Sequence, residues 1–132
     1  MFLDASAIIA RESDAASLAV RLGQPARVVT SPIAAQEAVL GLARVGNTSI
    51  ADATSVLDRF LTEVDATIVP IDAPRGSAAI AAFERVGKGR PAAALNLGDC
   101  FAYAYAYACA ATRDMPLLCE ENDFPHMDIA IA

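Results

Sequence analysis

A repeated change of hydrophobic period constrains this chain more than any other feature. Short apolar or β-branched runs, in MFLDAS at the start, ARVVTSP at 26–32, ATIVPID at 66–72 and MPLLC at 115–119, are separated by longer segments with helical spacing. Alternation of this kind predicts an α/β fold in which a parallel or mostly parallel sheet is flanked by helices. The first run reads as a buried strand ending at Asp4, with a helix starting near Ser6 and a second helix over SDAASLAVRL, ending at Gly23. Ser31 is placed to cap, and Pro32 to begin, a helix over PIAAQEAVLGLARVG. On it Ile33, Gln36, Glu37 and Leu40 are spaced as one stripe, so Glu37 is expected to point inward. SIADATSVLDRFLTEVD carries Ile50, Ala53, Val56, Leu57, Phe60, Leu61 and Val64 on one face, and a further helix follows over APRGSAAIAAFERVGKG. RPAAALN reads as a loop, EENDF as a turn and MDIAIA as a last strand.

The segment LGDCFAYAYAYACAATRD, 97–114, alternates Ala with Tyr103, Tyr105 and Tyr107 and so imitates a strand. Its length and alanine content favour a helix, with Tyr103 stacking on Tyr107 and Phe101 on Tyr105. Asp99 then stands in the first turn, where the helix dipole favours an anion by about 0.3–1 kcal/mol.

With 132 residues the chain is expected to form one domain, 1–132, with no repeat or linker. No apolar run is long enough to span a bilayer, and an acid at position 4 is unlike a signal peptide, so a cytoplasmic location without membrane association is expected. Cys100, Cys109 and Cys119 form no CxxC pair, which argues against a zinc cluster or disulfide framework and for buried thiols. A net charge of −6 argues against nucleic acid unless the acids are gathered in a metal site. The single histidine, His126, reads as a solvated loop residue.

Four acids stand where such folds build sites. Asp4 follows the first strand, Glu37 lies in a helix stripe, Asp99 opens a helix, and Asp123 with Asn122 follows the PLLC strand. Each has an ordinary reading: Asp4 as a helix cap, Glu37 as an arginine partner, Asp99 as a dipole residue, Asp123 as a turn former. Together they are more informative. Two carboxylates about 5 Å apart repel by about 3 kcal/mol at an effective dielectric of about 20, so a convergent set calls for a cation. Oxygen donors alone select Mg²⁺ or Mn²⁺ over zinc.

MFLDASAIIA, SPIAAQEAVLGLAR, NLGDCFAYAYA and PLLCEENDFPHMDI together resemble the four motifs of the PIN-domain family, and in combination its VapC-type toxins. The resemblance covers essentially the whole chain and implies a PIN-like α/β/α sandwich. It implies that Asp4, Glu37, Asp99 and Asp123 are the catalytic, metal-holding acids, supported by Ser6. At the fourth position Asn122 competes with Asp123, and Glu120 and Glu121 are further choices. The activity implied is a Mg²⁺-dependent endoribonuclease that inhibits translation and is neutralised by a cognate antitoxin. A homodimer is also implied, with RNA contacts among Arg11, Arg44, Arg85, Lys88 and Arg90. The apolar excess, 55% of residues, adds the expectation of partner-covered surface around Ile8, Ile9, Leu40 and Leu42. The competing reading is a PIN-like scaffold that binds partners without catalysis. A phosphorelay receiver is disfavoured, since the only lysine, Lys88, falls in a helix-end loop.

Overall fold

The computed structural model describes residues 1–22, 27–86 and 116–119. β1 (Phe2–Leu3), β2 (Val28–Thr30), β3 (Ala66–Ile68) and β4 (Leu117–Leu118) form one sheet in the order β3-β2-β1-β4. Every pairing is parallel: Phe2 faces Val29 and Leu117, Leu3 faces Leu118, and Thr30 faces Ile68. The sheet is thus the parallel one that the alternating pattern predicts. β1, with a neighbour on each side, is buried through Phe2 and Leu3, whereas β3 borders the described sheet and leaves Thr67 and Ile68 exposed. The helices are α1 (Ala5–Arg11), α2 (Ala15–Leu22), α3 (Pro32–Gly46), α4 (Ile50–Glu63) and α5 (Ala73–Val86). A 3₁₀ turn, Glu12–Asp14, occupies residues the sequence pattern gives partly to the second helix.

Local chemistry explains the helix limits. Asp4 caps α1, and the Ser31 Oγ accepts from the Ala34 N–H at 3.1 Å at the start of α3, with Pro32 in its first turn. At the other end Asn47 enters the left-handed region, φ 47°, and its N–H bonds back to the last turn. Ser49 caps α4: its Oγ accepts from the Asp52 N–H at 3.0 Å and donates to Asp52 Oδ2 at 2.6 Å. On α4 the expected face is buried at Ala53, Leu57, Phe60, Leu61 and Val64, while Ile50, at the helix start, stays exposed.

The stripe expected on α3 requires correction. Gln36 and Leu40 are exposed and Ile33 only half-buried, and the core face runs through Ala34, Ala35, Ala38, Gly41 and Leu42. Small residues win that face because α1 lies close against it: a Cβ at Gly41 would stand 2.2 Å from Ile9 Cδ1. The apolar surface proposed around the early helices is likewise mostly core, since Ile8 and Leu42 are buried and Ile9 is half-buried against Gly41. Only Leu40 is left open, at 47% exposure. The final helix and strand read from the sequence, over 97–114 and MDIAIA, and the RPAAALN loop lie outside the described residues.

The α1–α3 contact gives a mutational contrast. Gly41→Val is expected to lower stability by about 1–3 kcal/mol in urea unfolding, because Ile9 must be displaced within a filled core. Gly46→Ala, whose new Cβ meets only Thr48 Cγ2 at 3.5 Å, should be neutral or stabilising by up to about 1 kcal/mol.

Candidate metal centre at the carboxyl edge of the sheet

Four parallel strands bring their carboxyl ends to one edge, the position where open α/β sheets place their sites. Asp4, the residue after β1, is the acid at the middle of that edge. Its N–H donates to the Leu118 carbonyl at 3.1 Å, which ties it to β4. Its side chain is buried, and Oδ2 accepts from the Ser6 N–H at 3.0 Å and the Ser6 Oγ–H at 2.6 Å. Two donors on one carboxylate oxygen hold the side chain in one orientation. The expected support of Asp4 by Ser6 is therefore a direct contact. β2 ends beside Asp4: the Thr30 hydroxyl donates to the Leu3 carbonyl at 2.8 Å, inside the core.

Glu37 is half-buried on the Ala34, Ala38 and Gly41 side of α3, and Gly41 marks that side as the one facing α1. The sequence expectation of an inward acid holds, although its companions on the stripe differ. The structure brings Asp4 and Ser6 into contact and carries Glu37 on the helix packed against α1. Asp99, Asp123, Asn122, Glu120 and Glu121 lie outside the described residues, as do Lys88 and Arg90. Among the described residues no group of three or more His, Cys, Asp and Glu side chains forms a metal cluster. What is described fits a hard cation in kind: a buried, oriented carboxylate at the sheet edge, with a second carboxylate on the adjoining helix.

Of the basic residues proposed for RNA, Arg11 ends α1, about 10 Å along the helix from Asp4, and Arg44 lies in the last turn of α3. Both positions suit the negative end of a helix dipole. Arg85 is on α5. Cys119, after β4, is buried as expected of a thiol in this chain.

Sequence reasoning missed a cation at the same edge. Beyond β3 the Arg75 guanidinium pairs with Asp72 and donates to the Pro70 carbonyl at 3.4 Å, and its Nε is buried without a partner among the described residues. Asp72, three residues before Arg75, accepts its N–H at 3.1 Å and so caps the helix, but nothing in the sequence pattern records that the guanidinium turns back to Pro70. That backbone hydrogen bond, followed by the guanidinium charge, holds the Asp72 carboxyl below its ordinary range. At Asp52 the Ser49 hydroxyl, then Thr48, acts in the same direction.

The chain belongs to the PIN domain family, whose model matches residues 1–130. It is similar along nearly its whole length to proteins called VapC ribonucleases. It is 34% identical to VapC ribonuclease Mb2004c of Mycobacterium bovis, covering 98% of this chain and 91% of that protein. It is 35% identical to VapC ribonuclease R02377 of Rhizobium meliloti, covering 97% and 98%, and 31% identical to ribonuclease VapC of Mycolicibacterium smegmatis, covering 98% of each.

Two expectations follow from these contacts. With metal removed, Asp4→Asn should melt near the wild type because asparagine also caps, whereas Asp4→Ala should lose about 0.5–2 kcal/mol in chemical denaturation. Asp52 and Asp72 have depressed folded-state pKa values, so their stabilisation is complete above the unfolded carboxylate range and is lost as pH falls through the folded values. Urea midpoints should decline on acidification, and Asp52→Asn with Asp72→Asn should flatten that decline.

Proposed function

We propose that this chain is a metal-dependent endoribonuclease, the toxin of a toxin–antitoxin pair, which acts in the cytoplasm and inhibits translation by cutting RNA. The observation that carries the reading is the buried Asp4 carboxylate at the carboxyl edge, oriented by two donors from Ser6 in a chain of the PIN family. The names of its relatives add the ribonuclease activity. The residues that would hold Mg²⁺ or Mn²⁺ are Asp4, Glu37, Asp99 and Asp123, with Asn122 the other choice at the fourth position. Such an ion would supply Lewis-acid polarisation of the scissile phosphate and would lower the pKa of a bound water, so that it gives up a proton more readily and becomes a better nucleophile. The protein's part is placement. Ser6 fixes the Asp4 carboxylate, the short β1 strand fixes its height at the edge, and α3 carries Glu37.

A cognate antitoxin and a second copy of the chain are the proposed protein partners. Among the described residues no helix is long and apolar enough to cross a membrane. The charge objection weakens in this reading, because the bound ion itself would coordinate and attract a phosphate oxygen whatever the overall charge of the chain.

The test is cleavage of RNA by the purified chain with Mg²⁺, with Mn²⁺ and with excess EDTA. Both ions should support cleavage and EDTA should abolish it. Cleavage persisting in chelator would end the metal reading, and no cleavage with either ion would favour the scaffold. Asp99→Asn should reduce activity by orders of magnitude while its metal-free melting temperature stays level or rises, since a repelling charge is lost. A variant that is less stable without metal yet still cuts would make Asp99 structural.

A further inference from the structure

Among the described residues two serines cap helices, Ser31 and Ser49, and they use their hydroxyls differently. Ser49 is exposed and spends both functions: it accepts from the Asp52 N–H and donates to the Asp52 carboxylate. Ser31, 1% exposed, accepts from the Ala34 N–H at 3.1 Å, and among the described residues nothing takes its proton. A hydroxyl has one proton and two lone pairs, so Ser31 keeps a donor and an acceptor unspent among the described residues. Capping accounts for only one of its three bonding positions. Buried donors are ordinarily satisfied, so the remainder calls for a partner.

The sheet register says where that partner is. Phe2 faces Val29, and the chain stays extended through both Asp4 (φ −78°, ψ 161°) and Ser31 (φ −105°, ψ 162°). Two residues further along both strands, Asp4 comes beside Ser31, about 5 Å away at ordinary strand spacing and on the same side of the sheet. The Thr30 hydroxyl on the Leu3 carbonyl secures the two strands one residue earlier. The hydroxyl and the carboxylate are buried together at the edge.

We propose that Ser31 is an outer-sphere positioning residue of the divalent-ion site. Its free lone pair accepts from a water of the ion's hydration shell, and its proton goes to an oxygen of the carboxylate cluster. Mg²⁺ and Mn²⁺ retain waters when bound by a few carboxylates, so such a partner acts on the ion without touching it. The proposal rests on the metal-dependent reading above and adds a residue to it.

Calorimetric titration with Mn²⁺ separates the two. Ser31→Gly removes the hydroxyl while glycine still serves as a cap, and Ser31→Thr keeps both hydroxyl and cap. Ser31→Gly is expected to weaken Mn²⁺ binding by about 10–100-fold, the range for loss of an outer-shell partner, and Ser31→Thr to restore it. Melting in EDTA checks that each variant is folded, and Ser31→Ala serves as a second hydroxyl-free variant if the glycine variant does not fold. Wild-type affinity in the hydroxyl-free variant would leave Ser31 as a cap alone and overturn the proposal. A threonine variant as weak as the glycine variant would overturn it too, by tracing the loss to packing. Asp4→Asn is the control: if it binds Mn²⁺ as the wild type does, the carboxylate site itself is refuted, whereas its loss of binding beside an unaffected Ser31→Gly refutes only the role of Ser31.

Discussion

The parallel pairing of a strand only two residues long holds the described part of this protein in order. Phe2 and Leu3 are pinned between β2 and β4, and the next residue, Asp4, is already a helix cap. No slack separates the core from the site. A register slip of one residue on β1 would turn Phe2 and Leu3 each to the opposite face and move Asp4 away from the end of β2. The Thr30 hydroxyl on the Leu3 carbonyl and the Asp4 N–H on the Leu118 carbonyl oppose such a slip from both sides.

From that constraint, in the proposed reading, the same groups would serve structure and chemistry together. Asp4 closes the first turn of α1 and presents a carboxylate at the edge, and Ser6, bound to it twice, stiffens both functions. Glu37 reaches its place because Ala34, Ala38 and Gly41 let α3 approach α1. A bulkier residue at Gly41 would displace the Ile9 side chain through which α1 packs on the helix that carries the acid. The packing of small residues is therefore a positioning device as well as a core.

Local signals were legible at α3, less so at the 3₁₀ turn Glu12–Asp14, and relations between elements less so again. Ser31, Pro32 and the run to Gly46 mark α3 to the residue, because capping and a fixed proline φ act within one turn. The face that α3 buries was misread, since large apolar side chains at Ile33 and Leu40 outweigh alanines in any periodicity argument while close helix packing selects the alanines and Gly41. The same error made a docking surface of Ile8 and Leu42, which are core. The Arg75 guanidinium at the end of β3 was missed because its contact with the Pro70 carbonyl depends on how the chain leaves the strand, which no local pattern records. At the site, Asp4 and the inward Glu37 were readable from their places after a strand and on a helix, the support of Asp4 by Ser6 came with the family resemblance, and Asp99 and Asp123 stand on the sequence motifs.

The net charge of −6 reflects 16 acids against 10 basic residues, of which the proposed site uses four acids, so attraction of RNA in this reading rests on the bound ion itself rather than on the overall charge. The central claim is that an ion sits at Asp4. The most direct measurement is anomalous X-ray scattering at the manganese edge from crystals grown with Mn²⁺. The account predicts one strong peak within coordination distance of the Asp4 carboxylate, on the side of α3 that carries Glu37. A fully soaked crystal with no peak at Asp4, or with manganese only at surface carboxylates such as Asp52 and Asp72, would contradict it.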